Sequence, residues 1–113
     1  MNLIEQLYKT YKAEPLKHPQ IIPSSGECIG YDIEYPFDEV KFYKVVSFLT
    51  EHRVDITLAD YGVDLTYSYD VEEYTVTGYE DNHINSLAAA LIKLYDKIPE
   101  GLQLDIRNVL SED

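Results

Sequence analysis

Three short segments between residues 53 and 79 alternate apolar and polar side chains, and they constrain the fold more than any other feature of the chain. They read RVDITLAD, VDLTYSYD and YTVTGY. Alternation with period two is typical of strands that bury one face. Turns are predicted at Tyr61-Gly62 and at residues 70–73, so the strands are expected to pair antiparallel. The residues predicted to point inward are Val54, Ile56, Leu58, Val63, Leu65, Tyr67 and Tyr69.

The other apolar residues recur mainly at helical spacing. This spacing predicts helices over residues 2–13, 37–53 and 80–99. Residues 101–113 also have helical spacing, although their first part could equally form a strand. Helices are therefore expected on both sides of the alternating segments in the chain.

A fourth strand is predicted in IGYDIEY, residues 29–35, which alternates apolar and acidic side chains. The residues expected to face the core are Ile29, Tyr31, Ile33 and Tyr35. The preceding residues 14–27 contain three prolines and read as a loop. The order α-β-α-β-β-β-α-α predicts one α+β domain, residues 1–113, in which helices cover an antiparallel sheet of about four strands.

Net charge indicates the class of partner. The chain has 21 Asp and Glu against 9 Lys and Arg, a formal net charge of −12. Such a protein is repelled by nucleic acid and by anionic membrane surfaces, and it is attracted to basic proteins. We therefore expect a basic protein partner, no direct nucleic-acid partner and no membrane partner. The plain interpretation, in which the acidity serves only solubility, stays open.

Cys28 is the single cysteine, so no disulfide forms within the chain, as is typical of a reducing compartment. The first residues have no apolar signal core, and the longest apolar run, residues 87–92, is too short to cross a bilayer. A cytoplasmic location is therefore expected. Cys28 itself is expected to be a small core residue.

The middle of the chain has no Lys or Arg from Val54 through Ile92. Solvated sheet surfaces usually mix charges, because like charges oppose strand pairing. A cationic partner would neutralise this region, and its tyrosines would add contact area. The predicted partner-binding residues are Asp64, Asp70, Glu72, Glu73, Glu80, Asp81, Tyr61 and Tyr79.

Signatures of catalysis are missing from the sequence. It has no GxGxxG, Walker, HExxH, GxSxG or CxxC motif, and its three histidines lie in different segments. Residues 70–73 are acidic but lack the spaced ligands and the glycine of an EF-hand loop. We expect no enzymatic activity, no catalytic residue, no metal and no cofactor.

The order of a polar loop, a helix, an aromatic-rich β-hairpin and the helix INSLAAALIKLYDKI resembles small phage and prophage proteins with the phage ABA sandwich domain, over residues 20–98. The resemblance implies a sheet covered by helices and a phage-related origin, and it assigns no functional residues. Small acidic phage proteins such as anti-CRISPR proteins block host proteins by occupying a nucleic-acid groove. By that analogy the resemblance implies a DNA mimic that acts in the host cytoplasm.

Three functional hypotheses follow. The leading one is a non-enzymatic, phage-encoded inhibitor that binds a basic surface of a host protein, such as a defence nuclease or a DNA-processing enzyme. The first alternative is a protein that binds or sequesters a small ligand such as a nucleotide signal. Its only candidate cluster of cations is Lys41, Lys44 and Arg53. The second alternative is a self-associating scaffold protein or homodimer that pairs through a sheet edge.

Overall fold

The computed structural model describes residues 2–60 and 62–111. The predicted α+β class is confirmed, and every predicted helix is present. The closing segment, for which a strand was an open alternative, is helical from Glu100 onward. In chain order the elements are α1 (Leu3–Tyr11), β1 (Leu16–Ile21), β2 (Cys28–Glu34), α2 (Glu39–Glu51), β3 (Val54–Leu58), β4 (Gly62–Tyr69), β5 (Glu72–Tyr79), α3 (His83–Leu94), a 3₁₀ turn (Tyr95–Lys97) and α4 (Glu100–Ser111).

Side-chain caps determine where three of these helices begin. The side chains of Asn2, Asp38 and Asn82 each accept a hydrogen bond from the backbone N–H three residues later, at 2.8, 2.9 and 2.8 Å. Asp and Asn are preferred at this position because their side-chain oxygen satisfies one of the N–H groups that a helix start leaves unpaired.

β3, β4 and β5 form an antiparallel sheet in sequence order, as the alternating segments predicted. Val54 pairs with Tyr67 and Val63 pairs with Gly78, so the inward residues of neighbouring strands lie side by side. Two residues predicted to point inward, Leu58 and Tyr69, are 52% and 62% exposed. Each is the last residue of its strand, where the cover over the sheet is incomplete.

Helices cover one face of this sheet, and α3 lies closest to it. The core there contains Val63 and Leu65 from β4 and Leu87 from α3, all fully buried. A Cβ atom at Gly78 of β5 would lie 1.9 Å from the backbone oxygen of Ser86 and 2.7 Å from the Ala90 nitrogen. The backbones of β5 and α3 can approach this closely only because residue 78 is glycine.

Two buried polar side chains hold the end of α4 against the rest of the domain. Lys41 of α2 is 5% exposed, and its Nζ donates to the Leu110 carbonyl at 2.9 Å. The Tyr8 hydroxyl lies 2.9 Å from the same carbonyl oxygen and also reaches that of Pro36. A cation suits this place because the last carbonyls of a helix form the negative end of its dipole.

One predicted strand lies elsewhere than expected. The segment predicted at residues 29–35 is β2, and it pairs with β1 in a separate two-stranded sheet instead of joining the main one. Residues 14–27, predicted to be a loop, contain the whole of β1, so that prediction was wrong over residues 16–21. Pro19 within β1 is compatible with an edge strand, because such a strand leaves some N–H groups unpaired in any case.

We call this hairpin, Leu16 to Glu34, the arm. Ile29, Tyr31 and Ile33, predicted to face the core, are 65%, 60% and 45% exposed, and Cys28 is also exposed. The protein measures 62 × 31 × 22 Å with a radius of gyration of 16.2 Å, whereas a compact chain of this length would have about 13 Å. The molecule is therefore elongated, and the arm contributes none of the buried core residues.

Candidate protein-interaction surfaces

The side of the β3–β4–β5 sheet that points away from the helices is called the outer face. It has one carboxylate on each strand, and the rest of its side chains are hydroxyl-bearing. All of its residues are exposed or half-buried, so the face is open to solvent. Strand alternation and register place there Asp55, Thr57, Asp64, Thr66, Ser68, Glu73, Thr75, Thr77 and Tyr79.

Hydrogen bonds between neighbouring strands order the middle of the outer face. The Thr77 hydroxyl donates to Asp64 Oδ1 at 2.6 Å, and the hydroxyls of Thr66 and Thr75 lie 3.1 Å apart. Where β4 begins and β5 ends, the Tyr79 ring lies against Gly62, since a Cβ at residue 62 would be 3.2 Å from Tyr79 Cδ2. Tyr79 is nevertheless 71% exposed, and its ring is available for contact.

The carboxylates of the outer face are close enough to repel one another. Asp55 pairs with Thr66, and Asp64 lies two residues from Thr66 on the same strand. This diagonal arrangement separates the two aspartates by about 8 Å. The distance is comparable with the screening length of about 8 Å at physiological salt, so their repulsion is only partly screened.

Among the described residues, no ion pair involves the carboxylates of the outer face, and the cation beside it is Lys93, whose Nζ donates to the Thr77 carbonyl at 2.7 Å. Within the described part of the chain, the ion pairs are Lys9–Glu5 at 3.3 Å and His18–Glu34 at 2.9 Å. Neither includes a carboxylate between residues 54 and 81. The negative potential over the outer face is therefore left for solvent ions or for a partner to balance.

The residues predicted to bind a partner fall into several groups. Asp64, Glu73 and Tyr79 lie on the outer face. Asp70 lies in the β4–β5 turn with a φ of 57°, at one end of the sheet. Glu72 belongs to the opposite face, where it pairs with Tyr69.

Glu80 and Asp81 follow β5, in the loop that leads into α3. The Glu80 N–H donates to Ser86 Oγ at 2.9 Å, and Asp81 accepts a hydrogen bond from the Asn85 side chain at 2.8 Å. The strands separate this loop from the Asp70 turn by roughly 25 Å, given about 3.3 Å per residue. Tyr61 lies outside the described residues.

The outer face also has members that the predicted set left out. Asp55 is exposed and contributes the third carboxylate, while Thr75 and Thr77 contribute hydroxyls from β5. The alternation of β3 predicts the outward position of Asp55 from sequence alone, and the same alternation of β5 gives Thr75 and Thr77. The residue-level register, which joins Asp64 to Thr77, needed the structure.

An aromatic cleft of about 440 Å³ lies at the turn end of the sheet, on the side opposite the outer face. The Tyr74 hydroxyl donates to Glu72 Oε2 at 2.6 Å, and this hydrogen bond to a carboxylate raises the pKa of Tyr74. The cleft therefore presents mostly ring surface with one oriented carboxylate. It is lined by Tyr67, Tyr69, Glu72, Tyr74, Lys97 and Pro99.

The cations proposed for a phosphate-bearing ligand do not form a shared site. Lys41 is buried and donates to the carbonyls of Val109 and Leu110, whereas Lys44 and Arg53 are exposed. A phosphate could not reach Lys41 without displacing the end of α4. The exposed members of the predicted cation cluster are therefore Lys44 and Arg53.

Residues 2–60 and 62–111 contain no group of three or more His, Cys, Asp or Glu side chains arranged to hold a metal ion. No helix in these two ranges has the length and apolar character needed to cross a membrane. Comparisons of the chain with protein-family models, curated proteins and solved structures find no match.

Proposed function

We propose that this protein is a non-enzymatic inhibitor that binds a basic surface of another protein through its outer face. The observation that supports this most strongly is an open sheet face with three carboxylates and no basic residue, none of whose carboxylates forms an ion pair within the described residues. A sheet face that served only solubility would more commonly mix charges of both signs.

The outer face is smaller than the area that a stable protein–protein interface buries, so neighbouring residues must also contact the partner. Three strands about 4.8 Å apart, two of eight residues and one of five, cover at most roughly 14 by 26 Å. A stable interface buries about 800 Å² on each partner, so contacts must extend past the edges of this face. Asp70 lies at one end and Glu80 and Asp81 lie at the other, and these carboxylates would extend the interface.

The chemistry of the outer face defines the partner. Spaced carboxylates and hydroxyls accept hydrogen bonds from arginine and lysine. A surface rich in those residues is typical of proteins that bind nucleic acid. The protein would then act by occupying that surface and excluding the nucleic acid. A phage-encoded inhibitor of a host defence nuclease or DNA-processing enzyme would act in this way, and the resemblance of the segment INSLAAALIKLYDKI to small phage proteins is the sequence feature behind that part of the proposal.

A capture experiment with matched variants tests the proposal. The outer-face variant combines Asp55→Asn, Asp64→Asn and Glu73→Gln, and the control variant combines Glu51→Gln, Glu100→Gln and Asp105→Asn on exposed helix positions. Both remove three negative charges. A bacterial lysate is passed over each immobilised protein at low and high salt, and the retained proteins are identified by mass spectrometry.

We expect the wild type and the control variant to retain the same basic, nucleic-acid-binding protein at low salt, and the outer-face variant to lose it. High salt should release that protein, because paired surface charges are screened. If both variants lose the captured protein to the same extent, binding depends on total charge and not on the outer face. If both retain it as the wild type does, the carboxylates of the outer face are not needed for binding. Either result would refute the proposal.

A further inference from the structure

The arm has two faces of opposite character. One face is polar, and its side chains bond to each other: Gln20 Nε2 donates to Asp32 Oδ1 at 2.6 Å, and His18 Nε2 lies 2.9 Å from Glu34 Oε2. The other face is mainly apolar, and we call it the apolar arm face. The β1–β2 register places Lys17, Pro19, Tyr31 and Ile33 on it, and Ile21 and Ile29 join them near the tip, where the register shifts and Ile21 pairs with Cys28.

The apolar arm face is as large as the largest apolar patch of a typical monomer, a patch that is often functional. Ile21 of β1 is 55% exposed, and Ile29 and Tyr31 of β2 are 65% and 60% exposed. With Ile33 they expose roughly 400 Å² of side chain in total, and the largest apolar patch on a typical monomer is about 300–600 Å². Such patches usually mark a surface that another molecule covers.

The apolar arm face continues into a cleft where the arm meets the body. This cleft has a volume of about 530 Å³, and its apolar lining comes from Leu3 and Ile4 of α1 together with Ile33 and Tyr35. Its polar lining comes from Asn2, Glu34, Glu80 and Asn85. The cleft lies at the base of the arm, whereas the Ile29 end of the face lies near the tip.

The charges on the arm indicate which molecule covers this face. In a chain with a net charge of −12, the apolar arm face has no carboxylate, and its single charged residue is Lys17 near the base. The tip of the hairpin has Glu27. Two arms stacked in opposite directions would bring Lys17 of each copy close to Glu27 of the other. Stacking in the same direction would bring like charges together.

We propose that the apolar arm face is a homodimer interface, in which two copies stack their arms face to face and antiparallel about a two-fold axis near Tyr31. This is a self-complementary arrangement, because each copy contributes the same patch. Ile29 of one copy then meets Ile33 of the other, and the tip of each arm reaches the cleft at the base of its partner. The inference does not depend on the proposed inhibitor function.

The area of the interface indicates that the dimer is of moderate strength. The apolar arm face supplies about half of the 800 Å² per partner that a standard interface buries, and insertion of the tip into the cleft supplies the rest. We therefore expect a monomer–dimer equilibrium that depends on protein concentration.

Sedimentation equilibrium of the full chain over a range of concentrations tests the proposal. The wild type should approach twice the monomer mass of 13.1 kDa as its concentration rises. Tyr31→Asp should raise the dissociation constant at least about 100-fold, because it places two unpaired carboxylates at the centre of the interface. The control is Val71→Asp at the β4–β5 turn, where Val71 is 92% exposed. It adds the same charge and should leave dimerisation as in the wild type.

A charge exchange then tests the antiparallel arrangement. Lys17→Glu and Glu27→Lys should each weaken the dimer about tenfold, and the double exchange should restore it. A wild type that stays monomeric at every concentration would overturn the proposal. So would a dimer that tolerates Tyr31→Asp, or a double exchange that is no better than the two single ones. Circular dichroism confirms that each variant is folded.

Discussion

Individual residues determine how the helices pack on the sheet and on each other, which the alternation of apolar and polar residues does not predict. Gly78 lets α3 lie on β5, and Lys41 and Tyr8 satisfy the carbonyl of Leu110. Each of these residues looks ordinary in the sequence. A lysine in an amphipathic helix is expected in solvent, yet Lys41 is almost fully buried. Its ammonium group donates to the carbonyl of Leu110 at the negative end of the α4 dipole.

The close approach at Gly78 predicts a large effect from a single methyl group. Gly78→Ala should lower the free energy of unfolding by about 2–4 kcal/mol, because both atoms that the new Cβ would meet belong to the α3 backbone and cannot rotate away. Gly101→Ala is the matched control. A Cβ atom at residue 101 would have no other atom within 4 Å. This substitution should raise the free energy of unfolding by about 0.5–1 kcal/mol, because alanine is the better helix former. Urea denaturation measures both values, and equal effects would contradict the packing described for β5 and α3.

The buried Tyr8 predicts that the protein loses stability at high pH. Burial, together with the nearby charges of Asp38 and Glu34, raises the pKa of Tyr8 to about 12, and burial also raises the pKa of Tyr11. From pH 10 to about 12 an unfolded tyrosine loses its proton while folded Tyr8 keeps it. The free energy of unfolding should therefore fall by about 1.4 kcal/mol per pH unit for each such tyrosine.

Urea unfolding at several pH values checks this loss. Tyr8→Phe should be less stable than the wild type at neutral pH by about 1–3 kcal/mol, since it leaves the Leu110 carbonyl with one partner fewer. Above pH 10, however, its stability should fall less steeply with pH, because one titrating group is gone. Parallel curves for the two proteins would show that Tyr8 does not titrate as described.

At the scale of elements, the sequence predicted what local periodicity determines. The four helices and the β3–β4–β5 hairpins follow from apolar spacing, and the outward position of Asp64 follows from alternation. Periodicity shows that a strand has an apolar face but not what covers that face, so the predicted inward position of Tyr31 was wrong. The same limit applies to the partner-binding set, because consecutive residues such as Glu72 and Glu73 point to opposite sides of the sheet.

The arm should therefore contribute little to the stability of the core. Ile29→Ala, on the exposed arm, should change the free energy of unfolding by less than about 0.5 kcal/mol in a dilute solution of monomer. Ile106→Ala, with the same change in side chain but at a 1% exposed position in α4, should lower it by about 2–5 kcal/mol. Comparable losses in thermal or urea unfolding would show that the arm packs on the body more closely than its exposure indicates.

At the scale of the whole molecule, the structure separates two surfaces with different chemistry. The outer face has carboxylates and hydroxyls on a rigid three-stranded sheet, and the apolar arm face has no carboxylate. A dimer formed through the apolar arm face would hold two acidic faces at once, and two linked sites bind a repeated basic surface more tightly than one.

The central claim, that the outer face is where this protein meets a cationic partner, is tested most directly by NMR. The ¹⁵N-labelled protein is titrated with a short polyarginine peptide, and backbone amide shifts are followed residue by residue. We expect the largest changes at Thr57, Asp64, Thr66 and Thr75, with loss of binding when salt is raised. Changes of equal size over the acidic helix surfaces, or the largest changes on α2 and α4, would contradict the account.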